Sequence, residues 1–243
     1  MQRIGMLTPS SNTVLEPVTA ALLAGQSGIT AHFSRFRVTE IALSAGALAQ
    51  FDSSEILRAA ELLAHAKVDV ISWNGTSASW LGIERDLRLK EEIEAATGIR
   101  ASTCVLSLVE ILTRLKATQQ ALVTPYTPDV QAKIITTYAA AGIGCPAERH
   151  LGIRDNFTFG TVPQADISTM IAACLRALPE VVTILCTNMN GAALAPIFEA
   201  QSDVIILDSV SVTLWGCLME MGLRPDLISG WGRIFTDPRL NPA

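Results

Sequence analysis

The sequence predicts an α/β protein of two pseudo-symmetric lobes with parallel sheets, and three observations carry that expectation. Short β-rich runs alternate with longer amphipathic stretches, the pattern of strands joined by crossover helices. The chain also resembles itself. Ile4-Gly5-Met6-Leu7-Thr8-Pro9 is echoed by Gln120-Ala121-Leu122-Val123-Thr124-Pro125, and Val68-Asp69-Val70-Ile71 by Val181-Val182-Thr183-Ile184. Ala101-Ser102-Thr103-Cys104 is echoed by Leu207-Asp208-Ser209-Val210, and the three echoes keep the same order. Finally, 49% of the 243 residues are hydrophobic and 17% charged, which supplies a sizeable core and excludes a disordered chain.

In chain order, strands are expected at Arg3–Leu7, Ile29–Phe36, Val68–Trp73, Ala121–Val123, Gly144–His150, Val181–Cys186 and Val204–Leu207. Helices are expected at Ser54–Ala66, Ile83–Ala96, Ser107–Leu115, Asp129–Ala141, Ala165–Leu178 and Ser211–Met221. Leu57, Ala60, Leu62 and Leu63 recur at near-helical spacing behind Ser53 and Ser54, which read as caps. Thr97-Gly98 closes the next helix with a C-terminal glycine. The repeat divides the chain into an N-terminal lobe (1–115), a C-terminal lobe (116–213) and a last segment (214–243) expected to pack back on the first lobe.

Charge and composition exclude several functions. The net charge is −5 with no basic block, so neither nucleic acid nor an anionic membrane surface is an expected partner. The longest apolar runs, such as Val181–Cys186, are too short to span a bilayer. The N-terminus enters a strand-like segment with no secretory pattern, so a cytoplasmic location is expected. The five cysteines, at 104, 145, 174, 186 and 217, form no close pair, and His32, His65 and His150 are scattered. No metal site is therefore expected. Neither a GxGxxG nor a Walker sequence is present, so no cofactor is expected.

Ligands of parallel α/β sheets bind beyond the carboxyl ends of the strands, which puts an active site in the cleft between two facing lobes. Four polar motifs follow strands: Thr8-Pro9-Ser10-Ser11-Asn12, Asn74-Gly75-Thr76-Ser77, Thr124-Pro125-Tyr126-Thr127 and Cys186-Thr187-Asn188. Gly75-Thr76-Ser77 offers two hydroxyls and exposed N–H groups suited to an oxyanion, or else an ordinary helix-capping turn. Pro9-Ser10-Ser11-Asn12 presents the same choice. Tyr126 is stiffened by Pro125 and Pro128, as a directed phenol or as a packed ring. Cys186 ends its strand where polar residues begin and falls opposite Gly75 under the repeat, whereas Cys104, Cys174 and Cys217 read as small core residues.

These residues resemble the aspartate/glutamate racemase superfamily, in particular its arylmalonate decarboxylase and maleate cis-trans isomerase branch. The resemblance covers nearly the whole chain and implies flavodoxin-like lobes. In the racemases and isomerases a cysteine follows a strand in each half. The decarboxylases carry Gly-Thr-Ser at the first place and keep only the second cysteine, as Gly75-Thr76-Ser77 and Cys186 do here. Gly230-Trp231-Gly232-Arg233-Ile234-Phe235 also resembles that branch, while Asn12 and Asn156 resemble carboxylate-holding asparagines of the isomerases.

The resemblance implies a cofactor-free decarboxylase of a malonate-like acid. Thr76, Ser77, Tyr126 and the N–H of Thr187 would hold the retained carboxylate, Cys186 would protonate the carbanion, and Leu43, Trp73 or Met189 would desolvate the departing group. Pro9, Ser10 and Asn188 complete the expected set. The alternatives are an isomerase or racemase of a small dicarboxylate and a silent carboxylate-binding protein. The expected partner is a small carboxylic acid, with self-association into a homo-oligomer as a further expectation.

Overall fold

The computed structural model describes residues 1–241; Pro242 and Ala243, at the end of the expected last segment, lie outside them. Two parallel four-stranded sheets form the frame. β1 (Gln2–Pro9), β2 (Ile29–Phe36), β3 (Val70–Trp73) and β4 (Ala101–Thr103) lie in the order β2-β1-β3-β4. β5 (Gln120–Thr124), β6 (Glu148–His150), β7 (Val181–Ile184) and β8 (Ile205–Asp208) lie in the order β6-β5-β7-β8. The two halves thus share one topology, as the internal repeat requires. Strands β3 and β7 are buried at every position, which is why they read as mostly apolar runs broken only by Ser72 and Thr183.

The helices of the first half are α1 (Leu15–Leu22), α2 (Ala45–Ala49), α3 (Ser53–His65), α4 (Ala78–Leu81), α5 (Ile83–Thr97) and α6 (Cys104–Leu115). Those of the second are α7 (Pro128–Ala140), α8 (Asn156–Phe159), α9 (Gln164–Leu175), α10 (Ala195–Glu199) and α11 (Ser209–Glu220). No helix among the described residues is long and apolar enough to cross a membrane.

Several boundaries differ from the sequence expectation for physical reasons. β4 has only three residues, too few for any alternation to show. Gly144–His150 narrows to Glu148–His150 plus an isolated bridge at Gly144, because Pro146 between them lacks a ladder N–H. α3 is capped by Asp52, whose Oδ1 accepts from Ser54 N at 2.9 Å, so Ser53 and Ser54 are inside the helix rather than before it. Gly98 does terminate α5, in the left-handed conformation at φ 69° that a side chain would resist.

The repeat is echoed in the caps. Thr103 Oγ1 accepts from Leu106 N at 3.1 Å to start α6, and Asp208 Oδ1 accepts from Val210 N at 2.9 Å to start α11. This pairs Asp208 with Thr103, one residue beyond the alignment read from sequence. α11 then packs against α6, β4, β3 and α1, so the expected 213/214 boundary falls inside a helix that leans on the first half. Beyond it the chain touches both halves: Leu227 O accepts from Gln26, and Arg233 donates to Val204 O at 2.6 Å.

Two carboxyls are buried in this frame. Asp86, in the first turn of α5, and Asp208 are 2% and 1% exposed. Burial pushes each up to about 7, against weaker opposing hydrogen bonds from Thr103 to Asp86 and from backbone N–H groups to Asp208. A raised folded-state pKa means the native chain binds more protons than the unfolded one between about pH 4 and about pH 7. Stability is therefore present below that window and declines as pH rises through it. Denaturant titrations at about pH 5 and pH 8 should show the loss, and Asp86→Asn should shrink it. An unchanged slope in that variant would show that Asp86 ionises as freely folded as unfolded.

Candidate active site

The carboxyl ends of β1, β3 and β7, with the turn after β5, meet at one small cavity. It is lined by Pro9, Gly75, Thr76, Ser77, Tyr126, Asn156, Cys186 and Thr187 on its polar side, and by Val38, Ile41, Phe51, Trp73 and Trp80 on its apolar side. Residues from both halves of the chain line it. Its volume is about 20 Å³, room for a water and not for a dicarboxylate.

Tyr126 is 2% exposed and its hydroxyl sits 2.6 Å from Thr76 Oγ1. Burial pushes the phenol well above its usual range, with the neighbouring Cys186 adding to the rise. It therefore stays a neutral O–H donor. Its ring is held edge-on by Trp80 at 5.1 Å and Phe159 at 5.6 Å between centroids. Ser77 is 4% exposed and its hydroxyl bonds to no described residue, so it is free for a ligand.

Cys186 is 3% exposed. Its Sγ accepts from Asn188 N at 3.4 Å, and the Tyr126 hydroxyl lies beside it. Both favour a thiolate, but burial outweighs them and pushes the thiol up to about 12. The group is a thiol at neutral pH, suited to giving a proton rather than attacking as an anion.

The part of the lining formed by Trp73 and Gly75 is unusual. A Cβ built on Gly75 would stand 1.9 Å from Trp73 Cζ2 and 2.3 Å from Cε2. The indole, packed on Phe36 at 5.1 Å, lies where a side chain of residue 75 would begin. Gly75 has no positive φ, so the glycine is required by this close approach and not by backbone strain.

The expected carboxylate clamps are occupied elsewhere, and Ser10, Asn12 and Asn188 do not line the cavity. Asn12 Oδ1 accepts from Val14 N at 3.0 Å and Leu15 N at 2.9 Å, which starts α1, and its amide donates to Thr187 Oγ1 at 3.2 Å. Thr187 Oγ1 in turn donates to Asn74 O at 3.0 Å. Asn188 Oδ1 accepts from Thr13 N at 3.0 Å, and its amide bonds to Asn156 O. Asn156 donates to Ser11 Oγ at 2.7 Å; the Ser10 and Ser11 hydroxyls both donate to Val38 O. These residues form a hydrogen-bonded latch between the halves. Asn156 reaches the cavity edge as well. Of the three expected apolar residues only Trp73 lines the cavity; Leu43 and Met189 do not. Trp80, Phe51, Val38 and Ile41 were not singled out from sequence, although an aromatic three residues after Ser77 is a signal that could have pointed to Trp80.

The family model described as arylmalonate decarboxylase matches residues 4–235. The chain belongs to the arylmalonate decarboxylase family. The matched residues include the Gly75-Thr76-Ser77 turn and the strand-end Cys186. A curated relative, "Maleate isomerase" of Pseudomonas putida, is 27% identical over 97% of this chain and 98% of its own. A Nocardia farcinica maleate cis-trans isomerase, in a serine-for-cysteine variant with a covalently bound succinylcysteine intermediate, superposes with a TM-score of 0.88. It is 23% identical, over 97% of this chain and 98% of that one. A variant of arylmalonate decarboxylase in its liganded form gives a TM-score of 0.84 at 20% identity, over 98% of this chain and 100% of that one. The likeness to the solved structures is one of fold. The family comprises cofactor-independent decarboxylases and isomerases, and this chain is an enzyme of that kind.

Proposed function

We propose that the protein is a cofactor-free decarboxylase of a malonate-like dicarboxylic acid. The observation that supports this most is the make-up of the cavity: a single protonated thiol, Cys186, and an indole packed over Gly75 where any side chain would begin. Thr76, Ser77, Tyr126 and the backbone N–H of Thr187 hold one carboxylate. As the bond from the α-carbon to the other carboxyl carbon breaks, its electron pair passes into the held group, giving an enediolate, and carbon dioxide departs. Neutral donors aimed at the developing charge stabilise that enediolate. The S–H of Cys186 then gives its proton to the α-carbon, and the thiolate left behind regains a proton from solvent. One acid is enough for this reaction. A racemisation would need a second, opposed base, and Trp73 fills the space in which a side chain at Gly75 would carry one.

The maleate isomerase name of the relatives favours a second reading, conversion of a small dicarboxylate without loss of mass. Proton NMR in deuterated buffer separates the two, with substituted malonates, maleate and acidic amino acids as substrates. Carbon dioxide release with one deuteron incorporated is expected. Isomerisation or exchange without carbon dioxide would overturn the decarboxylase reading, as would thermal stabilisation by every acid with no turnover.

A further inference from the structure

Buried donors without acceptors are rare in folded proteins, because each forfeits its hydrogen bond to water. Several buried side-chain nitrogens and oxygens lack a protein partner among the described residues. Of these, only the indole Nε1 of Trp80 belongs to a residue that lines the catalytic cavity. Trp80 is 6% exposed and lies on α4, directly after the Gly75-Thr76-Ser77 turn. Its ring packs edge-on against Tyr126 at 5.1 Å and Phe51 at 6.1 Å. A phenylalanine would give the same packing and leave no orphan N–H. The indole N–H therefore adds a cost that packing does not explain.

We propose that Trp80 Nε1–H is a substrate-binding donor that holds the second carboxylate of a dicarboxylate whose first carboxylate sits among Thr76, Ser77 and Tyr126. This rests on the reading that the cavity takes carboxylic acids. An indole nitrogen donates and never accepts, so its partner is an acceptor atom of the ligand. The cavity already gathers hydroxyls for one carboxylate around Tyr126, and Trp80 packs on that ring from the apolar side. A carboxylate reaching Trp80 has Val38, Ile41 and Phe51 for its other neighbours. A single neutral donor orients such a group without neutralising it. The bond to the α-carbon is thereby held out of the plane of the enediolate, and the group remains poorly solvated, which favours its loss.

The test uses malonate and acetate as probes on the full chain. Nitrogen-15 spectra resolve the indole N–H signals, with that of Trp80 assigned through its contacts to Tyr126. Saturating malonate should move that signal downfield, and acetate should not. Trp80→Phe, which keeps the ring, should weaken malonate binding roughly tenfold while leaving acetate within about twofold. Equal losses for the two acids would overturn the proposal, as would an unmoved Trp80 signal under saturating malonate. Absence of saturable binding by malonate and maleate alike would also overturn it. If Trp80→Phe fails to fold, the wild-type titration decides by itself. Malonate bound through Trp80 with no carbon dioxide released would remove the decarboxylase reading and leave this one standing.

Discussion

Replacing Cys186 by alanine is expected to lower turnover by about 10²–10⁴-fold, the usual contribution of a positioned general acid. The fold should survive, since removing one buried sulfur costs about 1 kcal/mol. Cys104→Ala and Cys217→Ala, which empty the packed core and leave the cavity alone, should change melting temperature and not rate. If Cys186→Ala keeps more than a tenth of the wild-type rate, a loss under about 1.4 kcal/mol, the thiol is not the proton donor. The pH profile adds a second check. With the thiol held up at about 12, its acid form is not depleted between neutral pH and about pH 10. A rate that fell around the usual thiol pKa of about 8.5 would mean that Cys186 ionises during turnover.

Gly75→Cys is the other change with a large expected effect. The repeat alone suggests that a thiol there, facing Cys186, would create a two-base site able to exchange an α-proton. The structure corrects that expectation. The new Cβ would fall within 2 Å of Trp73, so the single variant is expected to lose about 3 kcal/mol or more and most of its activity. Trp73→Leu clears the space at the price of a cavity. The double variant Trp73→Leu/Gly75→Cys should be more stable than the sum of the singles, because each change relieves the defect of the other. It should also incorporate deuterium at the α-carbon of a monocarboxylate product, with one sulfur abstracting and the other donating. Denaturant midpoints for the four proteins measure the first claim, and NMR in deuterated water the second. A well-folded double variant that binds product and exchanges nothing would show that the two walls do not flank one carbon.

Much of this was legible in the sequence because it is written in local pattern. The alternation of strand and helix, and the recurrence of the Ile4–Pro9 pattern at Gln120–Pro125, required two like halves. The Gly75-Thr76-Ser77 turn, Tyr126 and Cys186 were visible as polar groups at strand ends. What escaped has in common that it depends on distance across the fold. Asn12 reads equally well as a cap or a clamp until its partners, Leu15 N and Thr187 Oγ1, are in place. Asn188 looks like a ligand group and serves the seam between the halves, while Asn156 serves the seam and also lines the cavity. Trp73 gives no sequence sign that its ring would reach the glycine two residues on.

The burial of Cys186 has a consequence for the durability of the enzyme. Oxidants and alkylating agents react with the thiolate, and a thiol held near 12 supplies almost none of it at cellular pH. The residue that follows it, Thr187, is tied to Asn12 and Asn74, so the sulfur sits next to the hydrogen-bonded seam between the halves. The same burial that keeps the proton on Cys186 therefore also slows its reaction with peroxide.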